Sequence, residues 1–151
     1  MKIYLGSDHR GFALKEKLKQ QLTEWGHDYK DLGPFEYNKD DDYPDYATAV
    51  AKAVALSLSK GESSHGILIC GSGIGVCITA NKIKGIRAGT MATSGQTKSS
   101  VGDEDINVLC LSADYTSEDK NIEIAKIFLE TKFSGEERHV RRVAKITNLE
   151  K

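Results

Sequence analysis

Short apolar runs alternate with longer stretches of helical periodicity along the chain. "KIYLG" (Lys2–Gly6) predicts a first strand. "GFALKEKLKQQLTEWG" predicts a helix: Leu14, Leu18 and Leu22 recur every four residues with Lys and Glu between them, and Gly26 supplies a C-terminal stop. "HDYKDLG" is a weaker second strand, followed by the polar, Asp-rich loop "PFEYNKDDDYPDYA". Pro44 opens a helix over "DYATAVAKAVALSLSKG", which stops at Gly61. "GILIC" is a third strand, and its unbroken apolar character suits burial on both faces. "GVCITANKI" begins a short helix, and "IRAGTMA" and "INVLCLS" are the fourth and fifth strands. "SEDKNIEIAKIFLETKF" is a long helix with Ser117 as N-cap and acids in its first turn, and "GEERHVRRVAKITNLEK" is a last, basic helix.

Strand–helix alternation of this kind predicts an α/β fold, a Rossmann-like three-layer αβα sandwich with a five-stranded parallel sheet. With no internal repeat, linker or low-complexity segment, residues 1–151 are expected to form one domain. Ligands of such sheets sit beyond the C-terminal ends of the strands. Three motifs fall there: "GSDHRG" after strand one, "CGSGIG" after strand three, and the segment Ala92–Asp105 after strand four.

Composition narrows the partners. The net charge of −1 argues against a nucleic-acid groove or an acidic-membrane surface. No apolar run approaches the roughly 18 residues of a membrane span, and the run in "MKIYLGSDHR" is too short for a secretory signal, so a cytoplasmic protein is expected. The three cysteines, Cys70, Cys77 and Cys110, form no Cys-x-x-Cys pair, and a disulfide framework is not expected. His9, His27, His65 and His139 have no metal-ligand spacing, so neither metal nor cofactor is expected.

The chemistry concentrates at "ILICGSGIGVCITANK". A strand running into Gly71, Gly73 and Gly75 and then a helix leaves backbone N–H groups free for an anion. The loop has neither the Gly-x-Gly-x-x-Gly spacing of a dinucleotide site nor the Gly-Lys-Ser/Thr ending of a P-loop. Cys70 lies at its mouth, where nearby amides favour a thiolate; a small apolar residue finishing a buried strand is the competing role. Cys77 and Cys110 read as packing residues. A phosphotyrosine-phosphatase loop needs Arg where Val76 stands, and thioredoxin-type exchange needs a second Cys. Proton abstraction next to a carbonyl needs a base and donors for enediolate oxygens, which Cys70 and the Gly71–Gly75 amides supply.

The ordered set "GSDHRGF", "DYPDYA", "CGSGIGVCITANK", "GIRA", "NVL" and "ERHVRRV" closely resembles the family of ribose-5-phosphate isomerase B, which also holds the galactose-6-phosphate isomerase subunits. The resemblance covers nearly the whole chain. It implies a metal-free aldose–ketose isomerase working through a cis-enediolate on a phosphorylated sugar. Cys70 matches the catalytic base and Ser72 the loop hydroxyl. Gly71, Gly73, Ile74 and Gly75 match the anion hole; Asp8 and His9 match the pair that holds the sugar hydroxyls and phosphate end; Tyr43 matches a sugar-contacting tyrosine. Arg138 and Arg142 match the phosphate-binding arginines, and their spacing of four puts them on one helical face. Asn81 and Lys82 read as structural. Family members are homodimers or homotetramers with sites shared between subunits, which assigns the last helix (136–150) to the interface and phosphate site.

Two departures from the pattern stand out. In "VGDEDINV", Asp103 and Glu104 occupy the places of the usual His-Asn, whose His opens the sugar ring; this leaves His9 and Asp103 as candidates for ring opening. Asp114 stands where some members carry another phosphate-contacting Arg. Interconversion of ribose 5-phosphate and ribulose 5-phosphate is the expected activity. The alternatives are a hexose 6-phosphate or allose phosphate isomerase, one subunit of a hetero-oligomer, and a non-catalytic sugar-phosphate-binding protein.

Overall fold

A computed structural model describes residues 1–151. The elements run β1 (Lys2–Ser7), α1 (Phe12–Glu24), β2 (Tyr29–Asp31), α2 (Tyr43–Ser59), β3 (Ser64–Cys70), α3 (Ile74–Ala80), β4 (Ala88–Thr90), α4 (Ser94–Glu104), β5 (Val108–Ser112), α5 (Glu118–Glu130) and α6 (Glu137–Asn148). All strand pairs are parallel, in the order β2-β1-β3-β5-β4. The topology reverses at β1 and β3: from β1 the chain first adds β2 on one side, then returns to place β3 on the other.

The apolar run of β3 divides by the two-residue period of a strand. Ile67 and Ile69 join Leu14, Leu18, Ile124 and Phe128 in a core between the sheet, α1 and α5. Leu68 and Cys70 join Val50, Val54, Val76 and Ala80 in a second core beneath α2 and α3. The result is the expected Rossmann-like three-layer arrangement, and no helix is long and apolar enough to cross a membrane.

Three details differ from the periodicity. The segment after β4 is largely a helix, α4. Only Thr97 and Val101 of it are buried, so it has almost no apolar stripe to read. Its signal is a cap: Thr93 accepts from the Gln96 amide at 3.1 Å, and the Gln96 side chain returns to the Ala92 amide at 2.8 Å. β4 is shorter than "IRAGTMA" because side chains take the backbone groups before it. Asn107 Oδ1 accepts from Arg87 N at 2.8 Å, and the Asn81 amide pairs with both N–H and C=O of Ala88 at 2.9 Å. The Asn81 side chain thus acts as a short strand on the exposed edge of β4.

The third detail is Lys15, fully buried on α1. Its ammonium donates to both oxygens of Asp31 at 2.6 and 2.7 Å and to the Pro34 carbonyl at 2.7 Å. Asp31 also accepts from the Gly33 amide and from Lys19. Burial pushes the Asp31 carboxyl up, but these donors outweigh it and hold the group below its ordinary range. The network pins the loop that leads to Tyr43. Lys15→Met should therefore cost about 3 kcal/mol in urea unfolding, because it leaves a mostly buried carboxylate without its main partner. A lowered folded pKa stabilises above the unfolded value of about 3.9 and loses that contribution as pH falls through the folded value. Asp31→Asn should be less stable than the wild type near neutrality and should lose less stability on acidification.

Candidate active site

β3 ends at Cys70, and the chain must turn at once into α3. Gly73 makes that turn with φ +74°. A Cβ there would adopt a disfavoured backbone and approach Thr90 Cγ2 to 2.8 Å and the Leu111 carbonyl carbon to 3.0 Å. In this conformation the Gly73 amide donates to Cys70 Sγ at 3.2 Å, and the Ile74 amide donates to Ser72 Oγ at 3.2 Å. Two loop amides of the expected anion hole therefore already face the sulfur and the hydroxyl. Neighbouring strands brace the loop: Thr90 Oγ1 donates to the Gly73 carbonyl at 2.6 Å, and Ser112 Oγ donates to the Gly71 carbonyl at 2.7 Å.

A cavity of about 430 Å³ opens over Cys70 and is walled by Asp8, Tyr43, Ser72, Ile74 and Gly75 among others. Cys70 is only 4% exposed, so its sulfur is reached through this cavity. Gly75 admits the Tyr43 ring: a Cβ there would lie 2.7 Å from Tyr43 Cε2 and Cζ. A larger cavity, about 590 Å³, lies between β4, α4 and α6, but half of its lining is apolar, with Ile86, Met91, Ile106, Ile146 and Leu149, and no thiol reaches it. Size does not make it the reaction centre. Cys77 and Cys110 do not line the Cys70 cavity; hydrogen bonds, that from Cys110 first, lower the Cys77 thiol pKa to about 6, and burial pushes the Cys110 thiol well up.

Asp8 follows β1, the neighbour of β3. Its amide donates to the Ile69 carbonyl at 3.1 Å, and its Oδ1 accepts from the Gly11 amide at 3.0 Å, which tightens the entry into α1. Burial raises the Asp8 carboxyl above its ordinary pKa, against the Gly11 amide and His9. His9 is fastened by Asp41, whose Oδ1 lies 2.7 Å from His9 Nδ1 and accepts the His9 amide at 3.1 Å. Asp8, His9 and Asp41 bring one donor atom each within 4.8 Å of one another, as close as the chain comes to a metal-ligand set. The mutual bonds of His9 and Asp41 account for that proximity. Asp41 was not legible as a partner of His9 within the run Asp40–Asp42.

The remaining expected residues lie elsewhere in the same chain. α4 runs back from the C-terminal edge of the sheet to the start of β5, so Asp103 ends up at the opposite edge from Cys70. There its Oδ1 is 3.7 Å from Nδ1 of His139, the one buried residue of α6. The Ser134 amide donates to the Gly102 carbonyl at 3.0 Å, which fixes the start of α6 to the same edge. Arg138 pairs only with Glu136, at 3.1 Å, and Arg142 has no bonded partner; both are exposed and neither lines the Cys70 cavity. Asp114, noted above for its departure from the family pattern, does line it, and so does Arg10, which no motif singled out.

A parallel three-layer sheet with a thiol and a braced glycine loop at its topological reversal defines a class of small α/β proteins with a ligand site at the strand ends. A family profile described as Ribose/Galactose Isomerase matches residues 3–146, and the chain belongs to that family. A Mycoplasma pneumoniae protein named probable ribose-5-phosphate isomerase B is 42% identical over 149 residues, spanning 99% of this chain and 95% of its own. Ribose-5-phosphate isomerase B of Escherichia coli K12 is 38% identical over 152 residues, with 99% and 96% covered. The crystal structure of ribose-5-phosphate isomerase B from Mycoplasma genitalium with bound ribulose-5-phosphate superposes with a TM-score of 0.93 at 38% identity, covering 99% of this chain and 95% of that one.

Gly73→Ala tests the loop. The left-handed strain and the backbone clash should cost about 2 kcal/mol or more in unfolding experiments, and turnover should fall further than stability explains because the amide leaves the sulfur. Wild-type turnover in a folded Gly73→Ala protein would show that the loop geometry is not needed.

Proposed function

We propose that this protein interconverts ribose 5-phosphate and ribulose 5-phosphate, with Cys70 as the base. The observation that carries the reading is the Cys70 sulfur, held by the Gly73 amide at 3.2 Å inside a cavity it shares with Asp8 and Ser72. The thiolate takes the C2 proton of the open-chain aldose. The electron pair of that bond becomes a C1–C2 double bond, and the carbonyl pair moves to O1, giving a cis-enediolate. Transfer of the 2-hydroxyl proton toward O1 and return of the proton from sulfur to C1 give the 2-ketose. Loop amides and Ser72 bind the charged oxygens, Asp8 and Tyr43 hold sugar hydroxyls, and Arg138 and Arg142 bind phosphate, which suits planar guanidinium forks. The chemistry requires no metal.

The active form on this reading is a homodimer or homotetramer in the cytoplasm. Its whole chain acts as one isomerase domain, and α6 carries its arginines to a neighbour's site. Val140 and Ile146 on that helix and Leu149 at its C-cap are 48%, 44% and 84% exposed, an apolar set that an isolated chain leaves uncovered. Ring opening falls to His9, fastened by Asp41, or to Asp103, which pairs with His139. Acids at positions 103 and 114 also favour a second reading, an isomerase of the same type acting on another sugar phosphate or together with a different subunit.

The deciding experiment is an isomerase assay over a panel of aldose 5- and 6-phosphates, combined with exchange of the C2 hydrogen with solvent. Ribose 5-phosphate should be turned over, and Cys70→Ala should lose about a hundredfold to ten-thousandfold in exchange while still binding phosphorylated ligand. Preference for a hexose phosphate supports the second reading. Near-normal exchange by Cys70→Ala makes the thiol a packing residue, and binding without turnover of any sugar reduces the protein to a sugar-phosphate binder.

A further inference from the structure

Arg10 follows Asp8 and His9 in the chain and helps to wall the Cys70 cavity, where it is the one cationic side chain. It forms an ion pair with Asp114, the second residue beyond β5, and the two side chains are 58% and 29% exposed. The guanidinium has no other side-chain partner in the chain, so most of its five N–H donors remain available. The pair lies flush against the loop residue next to the thiol. A Cβ on Gly71 would come within 2.7 Å of Asp114 Oδ2 and 2.8 Å of Arg10 Nε. The Asp114 amide donates to the Gly71 carbonyl at 3.0 Å, so the counter-ion is tied to the same loop.

As a fold element this pair is weak, because exposed ion pairs contribute little. As a ligand group it is well placed. Its cation faces the cavity that holds the base, and its partner is a single, partly hydrated carboxylate. A phosphate brings more charge and two oxygens that match the guanidinium fork.

We propose that Arg10 is a phosphate-binding residue supplied by the same chain as Cys70, and that Asp114 is the counter-ion the phosphate displaces. The identity of the sugar rests on the isomerase reading above; the binding of phosphate by Arg10 does not. Arg10 then grips the ligand from the C-terminal edge of its own sheet, whereas Arg138 and Arg142 start from the opposite edge of theirs. Asp114 also neutralises Arg10 until a ligand takes its place, which disfavours monoanions that cannot outcompete a carboxylate.

The test is calorimetric titration of the full-length oligomer with inorganic phosphate, together with KM and kcat for ribose 5-phosphate. Arg10→Ala should raise the phosphate Kd and the sugar-phosphate KM at least about tenfold, with a smaller change in kcat. Arg10→Lys should recover part of the loss, and Asp114→Asn should tighten phosphate binding about two- to tenfold because no counter-ion must leave. The exposure of Arg10 predicts unchanged melting in these variants, and Arg10→Gln serves if the alanine variant does not fold. Phosphate binding by Arg10→Ala within about twofold of the wild type overturns the Arg10 site, as does a wild type that binds no phosphate. Unchanged or weaker binding by Asp114→Asn overturns the counter-ion role. Loss of the phosphate effect is distinct from failure of the assigned reaction: a wild type that binds phosphate through Arg10 but does not isomerise ribose 5-phosphate sinks the reaction and leaves this site standing.

Discussion

The polarity of the parallel sheet governs where every functional group lies. Five strands point the same way, so whatever follows a strand sits at one edge and whatever precedes a strand sits at the other. Cys70, Asp8 and Asp114 follow β3, β1 and β5 and meet over one cavity. Asp103 precedes β5, and α6 is tied to that same far edge through Ser134 and His139. A crossover helix cannot deliver both of its ends to one edge of a sheet. Groups from the two edges of one sheet stay apart, which is the physical ground for the proposal that two chains share a site.

Within the Cys70 edge, geometry is held by satisfied backbone groups. The carbonyls of Gly71 and Gly73 are taken by hydroxyls from β5 and β4, and the amides of Gly73 and Ile74 turn inward to the sulfur and the Ser72 hydroxyl. A loop with its carbonyls fixed outward and its amides inward is preorganised for developing negative charge, which is where enzymes gain most from fixed dipoles. Arg10 and Asp114 add a partly exposed ion pair to this frame. The buried Lys15–Asp31 pair plays the corresponding part for the loop that brings in Asp41 and Tyr43.

Much of this was legible from the residues. All five strands and the helices α1, α2, α3, α5 and α6 follow from periodicity and caps, because a sheet buried on both faces must read as apolar runs. Ser117 does cap α5, accepting from the Lys120 amide at 3.3 Å. The helix α4 was not legible as a helix because it buries too little to show a stripe, although its Thr93–Gln96 cap was available. Lys15 was not legible as a buried residue, since helical spacing says nothing about an acid on a neighbouring strand. The Cys70 loop was legible because a single local stretch carries it. Arg10 lies inside a quoted motif and was still passed over: its meaning depends on Asp114, more than a hundred residues away, and only the sheet order brings them together.

A mixing experiment tests the shared site most directly. Cys70→Ala removes the group at one edge and Arg142→Ala the group at the other, and each variant alone should be nearly inactive. When the two are unfolded together and refolded, random pairing makes about half of the dimers hybrids, each with one site that carries neither substitution, so about a quarter of wild-type turnover should return. No recovery from a properly assembled hybrid, with both single variants impaired, would place Cys70 and Arg142 in the site of one chain and contradict the account.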